Sequence, residues 1–81
     1  MGESNIVKTF TQYRRTLEQY IRGMVKHQDI EDIVQETFVR SFEAELSHDI
    51  QYARTYMLRT AKHIALNHNQ KLDNKYSASL E

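Results

Sequence analysis

The chain has 81 residues, enough for a single domain with a modest core. It contains no proline, no cysteine and only two glycines, at positions 2 and 23, so the punctuation of hairpins and tight turns is missing and disulfide frameworks and thiolate metal centres are excluded. Eleven basic residues balance eleven acidic ones, and the overall basic excess usual for nucleic-acid binders is absent.

From Ile6 the apolar residues fall at Ile6, Phe10, Tyr13, Leu17, Tyr20, Ile21 and Met24, steps of four and three that keep one helix face buried. They predict a first helix over about 4–26, with Ser4 as its N-cap. Arg14, Arg15 and Arg22 lie off the apolar stripe. A very short link at His27 and Gln28 makes the next helix an antiparallel neighbour.

That second helix is expected over 29–46, with Asp29 as N-cap and Glu31 and Asp32 in the first turn, where the helix dipole favours negative charge. Its inner face reads Ile30, Ile33, Val34, Phe38 and Phe42. Ser47, His48 and Asp49 suit a turn better than a helix interior. A third helix follows over 52–74, with the stripe Met57, Ala61, Ile64, Ala65, His68 and Leu72, and fraying is expected after Asn74. The fold class is therefore all-α, a three-helix or four-helix antiparallel bundle filling 1–81 as one domain.

The zero net charge hides a pattern. Residues 1–28 hold five basic and two acidic residues, 29–49 one and seven, and 50–81 five and two. Basic, acidic and basic blocks either neutralise one another inside the bundle or present surfaces of opposite sign to two partners.

Catalysis has no support, because no nucleophile stands at a recognisable spacing from a base and no glycine-rich loop is present to cradle a phosphate. Nor is a metal or other cofactor expected: His63 and His68 are five residues apart, about 140° around a helix, and do not chelate one ion. Glu45 and His48 have the Glu-x-x-His spacing of bundle di-iron sites, but those need two copies. MGESNIVKTF lacks the apolar core of a secretory signal, and no apolar run is long enough to cross a bilayer; the expectation is a cytoplasmic protein without a membrane partner.

The second helix carries the unusual feature. Asp32 and Glu36 are one turn apart with Gln35 beside them, an acidic and amide-bearing ridge next to the apolar stripe. It suits docking onto a basic helical partner; the alternative is pairing with Arg14, Arg15 or Arg22 of the first helix.

The stretch EDIVQETFVRSF closely resembles the acidic helix of region 2 in bacterial sigma factors of the extracytoplasmic-function type, without a gap. The resemblance implies docking on the clamp helices of the RNA polymerase beta-prime subunit through Asp32, Gln35, Glu36, Phe38 and Phe42, with simple core packing as the alternative, and the favoured one, for the two phenylalanines. ARTYMLRTAKHIALNHNQK resembles the same family's promoter-contacting helix, with Tyr56, Met57, Arg59 and Ala61 in the matching places. It departs from the family where Tyr56 stands for a common Trp, His63 for a common Asn, and Gln70-Lys71 for two basic residues.

By that likeness the helix and the loop before it hold the unwound non-template strand of the minus-ten promoter element. Single-stranded bases stack on aromatic rings and their phosphates seek Arg and Lys. The expected DNA contacts are Tyr52, Arg54, Tyr56, Arg59, Lys62, His63, Asn67 and Lys71, with base-edge readers between Ser47 and Tyr52. Packing under the loop is the alternative for Tyr56, and an ion pair to the second helix for Arg59. The resemblance implies the RNA polymerase core, promoter DNA and an anti-sigma factor as partners. A second sigma domain has no counterpart in 1–81, and an excised domain is the expectation. The competing readings are a protein-interaction bundle, a sigma-like adaptor or decoy that never touches DNA, and a helix-turn-helix repressor.

Overall fold

A computed structural model describes the backbone of residues 4–80 and the side chains of residues 4–69. Within that range the chain forms three helices and no strand: α1 (Asn5–Arg22), α2 (His27–Ser47) and α3 (Ala53–Leu80). The expected α-helical bundle is what the chain adopts, each helix packing on the other two. None of the described helices is long and apolar enough to cross a membrane.

Ser4 caps α1 as its residue type foretells, its Oγ accepting the Val7 N–H at 3.0 Å. The helix bends at Tyr13, whose φ of −117° and ψ of 19° leave the helical region. Just before the bend, Thr11 Oγ1 donates to the Val7 carbonyl at 2.9 Å, a back-bond of the kind that bends helices. α1 ends at Arg22, short of the expected 26, because Gly23 is a weak helix former and Met24 and Val25 turn inward instead, half-buried against the core.

α2 begins two residues earlier than expected. Lys26, in extended conformation and without a side-chain capping bond, is its N-cap, and His27 and Gln28, expected as a link, already belong to the helix. Asp29 is therefore not the cap; it sits inside the first turn, still where the dipole favours a carboxylate.

The inner face of α2 also differs from the expected stripe. Ile30, Ile33 and Val34 are buried, but the line continues through Thr37 and Ser41, both 0% exposed, while Phe42 is 36% exposed. Phe38 is half-buried at the edge of the core. A step from Ser41 to Phe42 turns about 100° around the helix, enough to move a side chain from core to rim. Thr37 tolerates burial because its Oγ1 donates to the Ile33 carbonyl at 2.7 Å. Among the described residues Ser41 Oγ has no partner.

α1 supplies Ile6, Leu17 and Ile21 to the core, and Tyr20, expected on the same stripe, stands 38% exposed. α3 supplies Ala53, Met57, Ala61, Ile64 and Ala65, and its three alanines let the neighbouring helices approach closely. His68 is half-buried at the end of that stripe. α3 runs on past 74 to Leu80, and the side chains of Leu72 and Lys71 lie outside the described residues.

Contacts at the helix ends fix the directions. Glu45 near the end of α2 reaches Ser4 and Ile6 at the start of α1, so these two helices are antiparallel. Asn69 of α3 donates to the Met24 carbonyl at 2.8 Å, which places the middle of α3 beside the α1–α2 turn. α3 thus runs antiparallel to α2 and alongside α1.

Candidate functional site

The acidic ridge of α2 lies open. Asp32, Gln35 and Glu36 are all exposed. Gln35 Nε2 donates to Glu31 Oε1 at 3.3 Å, and Glu31 accepts Arg14 Nη2 of α1 at 2.7 Å. Glu36 pairs at 2.7 Å with Arg40 on its own helix. Among the described residues, ion pairing between the acidic block and α1 is thus confined to Arg14 and Glu31; Arg15 and Arg22 make no ion pair, and neither does Asp32.

An apolar line runs beside the ridge: Val39 is 50% exposed, Phe42 36% and Leu46 75%, at steps of three and four. Sequence reasoning missed Val39 and Leu46, although the step itself was readable as a second apolar line on α2. Phe38 bridges this line and the core, its ring centroid 4.7 Å from that of Phe10 and 6.0 Å from that of Phe42. The outer face of α2 therefore combines exposed apolar groups with a mostly acidic rim, in which Arg40 is the basic exception, as a protein-docking surface does.

The second cluster lies at the α2–α3 connection. Buried Ile50 anchors that loop, and its carbonyl accepts Asn5 Nδ2 at 3.4 Å. The Tyr56 N–H donates to the Tyr52 carbonyl at 2.9 Å, starting α3. Loop residues 48–51 line one concavity together with Tyr52, Thr55, Tyr56 and Arg59. Tyr52 is 75% exposed, whereas Tyr56 is half-buried and packs on the core, as the alternative for it anticipated. Arg59 is exposed and has no ion-pair partner among the described residues, so the ion pair to α2 does not form.

The remaining expected DNA contacts do not all share this face. Tyr52, Tyr56, Arg59, His63 and Asn67 succeed one another at steps of four, three, four and four and line one side of α3. Lys62, also exposed, stands beside Arg59 on its flank. Arg54 turns instead toward α1, its guanidinium carbon 4.7 Å from the centre of the Tyr13 ring at the helix bend. Lys71 lies outside the described side chains.

Two polar ties escaped sequence reasoning because each joins residues far apart in the chain. His68 Nε2 donates to Asp29 Oδ2 at 3.1 Å, and Asn69 reaches Met24 as described above. Both hold α3 against the α1–α2 turn. Among the described residues no group of three or more His, Asp or Glu side chains is placed to hold a metal ion.

No curated protein and no solved structure gives a significant match to the chain. The family model of sigma-70 region 2 matches residues 9–74, a span that takes in most of α1, all of α2, the loop with its concavity and α3 as far as residue 74. The chain therefore belongs to the sigma-70 region 2 family, a domain of transcription initiation that associates with the RNA polymerase core and promoter DNA.

Proposed function

We propose that this domain is of the extracytoplasmic-function type, docks on the clamp helices of the polymerase beta-prime subunit through the outer face of α2, and captures the unwound non-template strand of the minus-ten element at the α2–α3 connection. The observation that carries the reading is the open outer face of α2, where Asp32, Gln35 and Glu36 flank exposed Val39, Phe42 and Leu46. Apolar groups supply contact area there, and the carboxylates set register and association rate against a basic helical partner.

At the second cluster, Tyr52 offers a ring for an unstacked base, and Arg59 and Lys62 offer charge to its phosphates. The mechanism is non-covalent. Unstacking costs a few kcal/mol per step, comparable with one or two aromatic stacks at about 1–3 kcal/mol each, so capture of bases tips the duplex-to-bubble equilibrium without driving it alone. The domain works in the cytoplasm beside the polymerase, and an anti-sigma factor that covers the α2 face would block docking.

Binding to a beta-prime clamp-helix fragment tests the docking half. Glu36→Lys replaces attraction with repulsion and weakens binding roughly tenfold, about 1.4 kcal/mol, while Gln35→Ala weakens it less. Unchanged affinity in both variants, with unchanged thermal melting, rejects the docking surface. Fluorescence anisotropy with a single-stranded minus-ten oligonucleotide tests the second half; binding that does not fall with salt and does not respond to Tyr52→Ala or Arg59→Gln leaves a protein-interaction bundle without DNA binding.

A further inference from the structure

The outward side of α1, opposite Ile6, Leu17 and Ile21, belongs to neither cluster. It carries Lys8, Arg15 and Arg22, seven residues apart and all exposed, with Gln12 and Gln19 between them. Seven residues are close to two full turns, so the three cations stay on one side over about 21 Å of rise, with the Tyr13 bend between the first and the second. The one acid of α1, Glu18, is engaged by Arg14 at 3.6 Å. Among the described residues no carboxylate pairs with Lys8, Arg15 or Arg22.

The composition of this side discriminates between partners. Protein interfaces need apolar anchors at their centre, as Val39, Phe42 and Leu46 provide on α2; the centre of the outward side of α1, Lys8, Gln12, Arg15, Gln19 and Arg22, has none, and the exposed Val7 and Tyr20 stand at its two opposite edges. Arg, Lys and Gln are the side chains that contact phosphate oxygens and sugars without reading sequence. The exposed ring of α1, Tyr20, lies at the edge of this side rather than among the cations, which disfavours a single strand that would need a run of stacking platforms.

We infer that the outward side of α1 is a sequence-independent contact for the phosphate backbone of duplex DNA, with Lys8, Arg15 and Arg22 as the phosphate-binding residues. The inference rests on the promoter-binding reading above but uses other residues and a different form of DNA. It gives a net-neutral domain a basic side for duplex flanking the melted segment, separate from the strand-capturing loop.

The test is fluorescence anisotropy with a G·C-rich duplex lacking any minus-ten-like sequence, across a salt series. Three phosphate contacts contribute about 2.7 to the slope of log affinity against log salt, so the wild-type protein should lose about 40-fold more affinity than the K8Q/R15Q/R22Q variant when salt rises fourfold. The charge-retaining K8R/R15K/R22K variant should keep the wild-type slope. An unchanged slope in the K8Q/R15Q/R22Q variant, with unchanged thermal melting, overturns the inference. So does equally tight, salt-sensitive binding of polyglutamate that the same variant abolishes, because it would show an acidic polypeptide to be the occupant. Absence of single-strand capture in the wild-type protein, with the duplex slope and its loss in the K8Q/R15Q/R22Q variant as expected, bears on the promoter reading alone.

Discussion

Glu45, in the last turn of α2, accepts the backbone N–H of Ile6 through Oε2 at 3.2 Å, so a carboxylate from one helix caps the N-terminus of another. Ser4 Oγ donates to the other oxygen of the same carboxylate while accepting the Val7 N–H. The first turn of α1 contains no acidic residue of its own, and Glu45 supplies the negative charge that the dipole favours there. Glu45→Ala should cost about 1–2 kcal/mol and Glu45→Gln less, since the amide retains an acceptor. Urea unfolding measures both; wild-type stability in the alanine variant would mean that the cap carries no energetic weight.

Asp29 and His68 should be energetically coupled. Both are partly screened from water, with side chains 23% and 35% exposed, so their hydrogen bond competes with solvent less than a fully exposed one does. A double-mutant cycle with Asp29→Asn and His68→Gln should return a coupling of about 1 kcal/mol. A coupling indistinguishable from zero would make the contact incidental.

Phe38 and Phe42 should separate stability from docking. Phe38 touches both the Phe10 ring and the core, and Phe38→Ala should destabilise the fold by about 2–3 kcal/mol, below the range for a fully buried ring. Phe42→Ala should cost under about 1 kcal/mol and still weaken binding to the clamp-helix fragment, because its ring is at the rim. Equal destabilisation by the two variants would contradict the division.

Ser41→Ala should stabilise the protein. Its hydroxyl is fully buried without a partner among the described residues, and the alanine removes that desolvation penalty while leaving only a small space. A gain of about 1 kcal/mol corresponds to a melting temperature higher by roughly 4–8 °C in a domain of this size. A lower melting temperature would mean that the hydroxyl makes a bond with water that the packing conceals.

Much of the fold was legible because it is set locally. Ile6, Leu17 and Ile21, then Ile30, Ile33 and Val34, then Met57, Ala61, Ile64 and Ala65 recur with the helical period, and Ser4 is a capping residue wherever a helix follows it. The sign and openness of the α2 ridge were readable for the same reason: Asp32, Gln35 and Glu36 fall off the apolar stripe whatever the neighbours do.

What the sequence by itself determined, then, is three amphipathic helices and the chemical character of their faces, since both follow from spacing along one chain. Tertiary structure alone decided which side of α2 turns inward beyond Val34. A hydrophobicity pattern prefers Phe42 to Ser41, yet the rotation of α2 against α1 and α3 buries the serine and leaves the ring at the rim. It also decided that Arg54 lies over Tyr13 rather than beside Arg59, that Glu45 caps α1, and that His68 meets Asp29. Each of these depends on residues 39 or more positions apart being brought within hydrogen-bonding or stacking distance, and no local period carries that information.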